Sequence, residues 1–449
     1  MQNKFEFKLK SDLRGLIGKF LKGIDGKICT DMSRFEELFT LSISSSSPVR
    51  HIRGYFIEAT HDLYLQCNEI IEKICKSLGP ERAARQIVSK IIWDEVVNRY
   101  EENISYNLSI NRIEKEIQSI VDKSHRYIHP NYLVRLHPGI LKMTLGPVSI
   151  VSIDALRNEF NLEHSGVRFV LRGEERNNSN LGYFEASKFN WDISVYALPN
   201  NIKEEATWLA GIASSLLILT VEKNLGIQSV CDNTGRPEAS ITAPIIQEKF
   251  GAIIGKDMVS RENETLPVFY EISNKVHEYC STDCYQNFIN KIFFPIDKTV
   301  GAALRYSLGW LARGRQSESR TDRFMFFFTA LESLLTVDDK TAPVVQNIAR
   351  SAACILTDLP AQRADYAKKI KELYSIRSKL VHAGQRDMSR EEGMKIESLV
   401  RDICRRVLQY VDPATKLQDF HKALHNSSYG TPWMPKYERN FPSAPPFEV

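Results

Sequence analysis

Apolar residues in the first third of the chain recur at the three- and four-residue spacing of helices. The pattern predicts one helix from about Ile52 until Gly79-Pro80 stops it, a second from Glu81 to about Tyr100 with Ile87, Ile91, Val96 and Val97 on its apolar side, and a third over Ile110 to Val121. Ser44 to Pro48 reads as a loop. Residues 1–131 are thus expected to be helical, as a bundle or a dimerisation arm. From about Tyr132 the signal changes. Val148 to Ile153, Val167 to Arg172 and Trp191 to Leu198 are short β-rich runs bounded by Gly, Asn, Ser and Pro, the punctuation of strands. The polar stretch Gly173 to Asn180 lies between two of them, so the flanking runs could pair as a hairpin, and the apolar helix predicted from Glu204 to about Lys223 could cover the sheet. Residues 132–262 are read as a mixed α/β module, with the charged, irregular stretch Asp257 to Thr265 as its boundary.

Residues 263–412 return to helical periodicity. Val300, Leu304, Ser307, Leu308 and Leu311 share one face, and Phe324, Phe327, Phe328, Leu331, Leu334 and Leu335 share another. A third stripe runs through Tyr366, Ile370, Leu373, Arg377 and Leu380. A fourth helix opens at Ser389 with a capping-box pattern to Glu392 and carries Ile396, Leu399, Val400, Ile403 and Val407. Burying these faces against one another gives an all-α bundle. The expected fold class is therefore mainly α, with a central α/β module and a C-terminal helical bundle. Residues 413–449, with Pro432, Pro435, Pro442, Pro445 and Pro446, are read as a tail.

Size and charge narrow this picture only a little. A chain of 449 residues suits about three domains of ordinary size. A net charge of +4 is too small to mark a nucleic-acid binder by itself, so any RNA surface has to be a local patch. Eight cysteines spread over this length do not make a disulfide scaffold, so reduced thiols are expected. The first residues carry charge with no apolar run behind it, unlike a secretory signal, and the best apolar stretch, Trp208 to Val221, falls short of the roughly 20 residues of a membrane span. A cytoplasmic protein is expected. His277, Cys280 and Cys284 invite a zinc reading but lack a second half, so no metal is expected there. Gly251 to Asp257 has its two glycines one residue too close for a phosphate loop and has Asp257 where Ser or Thr is required.

The chemistry concentrates at Leu373 to Gly384. The third stripe places Arg377 among apolar positions, and a buried charge needs a partner. His382 is of the side-chain type whose unperturbed pKa lies near neutrality, and Gly384 is a typical helix-ending residue. Together they suggest a phosphate-directed site. Five positions along an uninterrupted helix separate the two side chains by roughly 140°. They meet only if the helix loosens toward Gly384 or if two copies of the segment face each other.

Arg377, four residues and His382 resemble the R-x(4-6)-H motif of HEPN (higher eukaryotes and prokaryotes nucleotide-binding) domains. The upstream helix Asp322 to Leu335, with Ala330-Leu331-Glu332-Ser333-Leu334, is similar to the ALE-x-L helix of the Apea-like HEPN group. Arg377-Ser378-Lys379-Leu380-Val381-His382-Ala383-Gly384 is similar to the R-S-x-x-x-H-x-G segment that follows it there, ahead of a long closing helix. The likeness covers about residues 290–412. It implies a HEPN-type helical bundle and a homodimer in which two motifs form one composite cleft. It also implies an RNA substrate cleaved without metal or other cofactor, and a role in bacterial anti-phage defence by abortive infection, set off by a phage-derived trigger or regulatory partner. RNA brings its own nucleophile, the 2′-hydroxyl, so a proton carrier and a cation suffice. His382 is assigned acid/base work and Arg377 the phosphate. Ser378 stands where the family commonly has Asn, Asp or His. Tyr374, Lys379 and Glu332 are candidates for orienting roles. Other readings stay open: a non-catalytic module that binds nucleotide, RNA or a protein partner and uses Arg377 for phosphate contact or dimer packing; a toxin restrained by an antitoxin; and a purely structural role, with Arg377 held by Glu332 as a buried pair and His382 a C-terminal helix residue favoured by the dipole.

Overall fold

The computed structural model describes residues 7–30, 49–79, 85–122, 125–131, 134–159, 167–171, 182–186, 188–197, 201–221, 226–228, 252–254, 259–261, 269–317, 319–336, 344–383, 388–431 and 433. Its contacts divide the chain into two units, Met1–Tyr127 with Ser194–Thr207, and Ile128–Ile193 with Trp208–Val449. The pattern-based limits at 262/263 and 412/413 both fall inside the second unit.

In the first unit the long helix expected from Ile52 starts later. Residues before it form a hairpin of β2 (Val49–Ile52) and β3 (Tyr55–Glu58), to which β1 (Ile28–Cys29) adds on the other edge of β3. Arg53 and Gly54 both have positive φ, 52° and 86°, the conformation that a tight two-residue hairpin turn requires. Gly54 was the available warning, since a glycine weakens a helix interior. Four helices complete the unit: α1 (Ser11–Ile24), α2 (His61–Leu78), α3 (Arg85–Glu102) and α4 (Tyr106–Val121). Their apolar faces meet in a core that includes Ile17, Phe20, Ile70, Trp93, Val97 and Ile113, with Phe20 edge-on to Trp93. Gly79, at φ 82°, closes α2 as its sequence predicts.

The sheet of the mixed region has the order β4 (His125–Asn131), β10 (Phe189–Val195), β7 (Val148–Ser152), β6 (Lys142–Leu145). The hairpin expected between the Val167 and Trp191 runs is not formed. β10 has both edges occupied, by β4 and by antiparallel β7, while β8 (Val167–Leu171) pairs in parallel with β9 (Gly182–Ala186). A short helix, α5 (Ile153–Glu159), follows β7. β5 (Val134–Leu136) lies parallel to β14 (Phe269–Ile272), whose other edge carries β11 (Gly226–Gln228). β13 (Val259–Arg261), inside the stretch expected to be an irregular boundary, pairs with β12 (Ala252–Ile254) just ahead of it.

The β6–β7 hairpin is pinned to α7 (Asn274–Cys280) and α8 (Asp283–Phe293). Gln286 donates to the carbonyls of Thr144 and Cys280 at 2.8 and 2.7 Å, and the His277 ring hydrogen-bonds the Lys142 carbonyl at 3.2 Å. Helix α6 (Ile202–Val221) follows the strands, and its Trp208–Val221 portion packs on α9 (Val300–Gln316). Ser215 donates to the Leu308 carbonyl at 3.1 Å, and a Cβ on Gly309 would sit 2.2 Å from the Trp208 ring. Glycine is what lets the two helices approach there.

The rest is helical, up to residue 412 as expected and beyond it against expectation: α10 (Arg320–Leu335), α11 (Val344–Leu356), α12 (Pro360–Ala383), α13 (Arg390–Tyr410) and α14 (Leu417–Ser427). The predicted faces of α9 and α10 are buried throughout. Ser389 and Glu392 form the capping box of α13. Arg315 reaches Glu397 at 3.0 Å and ties α9 to α13. α11 was not among the four helices read from the pattern. α14 lies within the stretch taken as tail; Pro413 stands before it and the tail's other prolines beyond it, and Leu417–Ser427 itself has neither proline nor glycine. Among the described residues no helix is long and apolar enough to cross a membrane.

Candidate functional site

α12 is the helix that carries the motif, and it runs without a break from Pro360 to Ala383. Ile370, Leu373 and Leu380 are buried on its inner line, with Tyr366 half-buried. Arg377, which the sequence stripe put among the buried positions, is only partly buried and keeps 26 % of its side chain exposed. Because α12 continues past His382, the loosening that could have brought Arg377 and His382 together in one chain does not occur up to Ala383. Gly384 lies outside the described residues, as does the His382 side chain.

Arg377 is held from α10. Its Nη2 lies 3.7 Å from Glu332 Oε1, and its guanidinium carbon sits 5.5 Å from the centre of the Tyr374 ring. Tyr374 donates its hydroxyl to the same Glu332 oxygen at 3.1 Å. The Tyr374 ring in turn stands edge-on to Phe328, 5.7 Å away, in the buried face of α10. One carboxylate thus organises two neighbours on the facing helix. Burial, and then the negative charge of Glu332, push the Tyr374 phenol above its ordinary range, so it stays a donor at neutral pH. Arg377 Nε is buried with no hydrogen-bond partner, while Nη2 is the atom that faces Glu332.

Of the sequence candidates, Arg377, Tyr374 and Glu332 come together. Ser378 is half-buried beside Arg377, whereas Lys379 is exposed and projects away from the cluster. At about 100° per residue, the His382 position lies opposite the buried line through Leu373, on the strip occupied by Lys371 and Ser375. Within one chain the arginine therefore faces inward and the histidine position outward.

The pattern missed one neighbouring group. His421 on α14 donates from Nε2 to the Leu334 carbonyl at the end of α10, 3.1 Å away, and burial lowers its pKa from the usual 6.5. The i, i+4 spacing of His421 and His425 suits one turn of a helix and is the signal in the sequence that points to this group. No group of three or more His, Cys, Asp or Glu among the described residues could hold a metal ion. His277 is engaged with the sheet, and Cys280 is buried with its thiol pushed up to about 12 by that burial.

Compared with protein families, curated proteins and solved structures, the chain matches none.

Proposed function

We propose that the protein is a metal-independent endoribonuclease whose site is assembled from two copies of α12 in a homodimer. The observation that carries this reading is the placement of Arg377 and His382 on one unbroken helix, about 140° apart, beside a helix bearing Ala330-Leu331-Glu332. A two-fold pairing would let the His382 position of one copy approach the partly exposed arginine of the other. In the proposed reaction the 2′-oxygen of RNA attacks the adjacent phosphorus and its proton passes to a base, while the departing 5′-oxygen takes a proton as its bond to phosphorus breaks. His382 carries protons and Arg377 stabilises the charge on the phosphoryl oxygens. Glu332 and Tyr374 orient the guanidinium. The anti-phage role rests on the resemblance of these segments to Apea-like HEPN domains, and the other regions would sense the trigger or choose the RNA.

A second reading is favoured by the Arg377–Glu332 contact itself, which gives the arginine an internal partner. In it the domain binds nucleotide, RNA or a protein without catalysis. Cleavage of RNA by the purified full chain in excess EDTA, compared with Arg377→Ala and His382→Ala, separates the two, with dimerisation followed by sedimentation. The nuclease reading expects cleavage by the wild type and loss in both folded variants. Cleavage that survives both substitutions defeats it.

A further inference from the structure

The outer face of α12 carries charge that the Arg377 cluster does not use. Lys368, Lys371, Ser375 and Lys379 are all exposed, and helical phase places them within about 60° of the His382 position. They lie opposite the buried line through Leu373 and Leu380, so the packing of α12 turns them to solvent. From Lys368 to His382 the helix rises about 21 Å, at about 1.5 Å per residue. Within that strip there is no acid. The nearest carboxylates on this helix, Asp365 and Glu372, stand at its edge, and Glu372 is also within electrostatic reach of Lys395 on α13. With a net charge of only +4 over the whole chain, a one-sign strip of this length is a local feature and not a reflection of general basicity.

We infer that this face is the track along which a single RNA strand reaches the site, its phosphates lying on Lys368, Lys371 and Lys379 and its path ending at His382. The inference rests on the proposed nuclease reading for its endpoint, but the lysine contacts make a separate claim. The ligand class follows from the chemistry: a flexible polyanion held by extended, exposed ammonium groups, which read phosphate and not base. The arrangement also divides the labour on α12. The outward face delivers the strand, and the inward edge presents the guanidinium for a second copy to use.

The test measures binding of a fluorescently labelled oligouridylate by anisotropy across a salt series, using the full chain with His382→Ala so that the strand is not cut. K368Q/K371Q/K379Q in that background should weaken binding and flatten the slope of log K against log salt by about 2. The corresponding lysine-to-arginine triple variant should restore both. Neutralising three exposed lysines elsewhere, K19Q/K76Q/K115Q, should leave the slope nearly unchanged, which separates a track from net charge. An unaltered slope in the first variant, an equal effect from the distant one, or no binding of RNA by the parent overturns the inference. Cleavage is read separately on the chain with His382 present. Binding lost with the lysines while the wild type cuts nothing would sustain the track and defeat the nuclease. Cleavage with an unchanged lysine dependence would do the reverse.

Discussion

Glu332 holds two partners, and removing it should act on both. Because its contact with Arg377 is 3.7 Å long and both side chains are about a quarter exposed, the pair is expected to contribute no more than about 1 kcal/mol. A double-mutant cycle of Glu332→Ala with Arg377→Ala, followed by denaturant unfolding, should return a coupling of that size. If the proposed chemistry holds, Glu332→Gln should depress cleavage more than it depresses stability, since it disturbs the arginine's aim while keeping the bulk. His421 gives a sharper pH signature. Its folded pKa lies below the ordinary 6.5, so the unfolded chain binds the proton first and stability is lost as pH falls through that value. His421→Gln keeps a donor for the Leu334 carbonyl and removes the titration. Thermal unfolding from about pH 7 to about pH 5 should therefore drop less steeply in that variant than in the wild type.

Helix contacts set the next scale. Gly309→Ala drives a methyl group into the Trp208 ring, and overpacking at such a crossing should cost about 1–3 kcal/mol, read as a lower unfolding midpoint. Ser389→Ala removes the cap of α13, whose hydroxyl accepts from the Glu392 amide at 3.1 Å, and should cost about 1 kcal/mol. Both positions also illustrate what the sequence discloses. The capping box and the stripes of α9, α10, α12 and α13 were legible because local spacing and burial on a single face leave a periodic trace. The β2–β3 hairpin was not, because Tyr55, Phe56 and Ile57 extend the apolar run into α2 and only Gly54 interrupts it. Strand pairing in the mixed region was illegible for a different reason. Which edge β10 offers is decided by β4 and β7, far away in sequence, and no local pattern records that competition. The site divides the same way. Arg377 and its stripe could be read from spacing, and Glu332 from the upstream helix, but their meeting around one carboxylate oxygen depends on how α10 and α12 pack.

At the scale of the whole molecule, the proposed site requires two chains. Mixing Arg377→Ala protein with His382→Ala protein under conditions that exchange subunits should restore cleavage that neither has alone, and an inactive mixture of demonstrated heterodimers would argue against a shared cleft. The continuity of α12 gives that requirement its mechanical meaning. Arginine and histidine are set on a single rigid shaft, so any roll that lifts one out of the bundle drives the other toward it. In the proposed site a lone subunit would turn the two positions toward different sides of α12, so that the pairing of two chains, and no rearrangement within either, would complete the cleft.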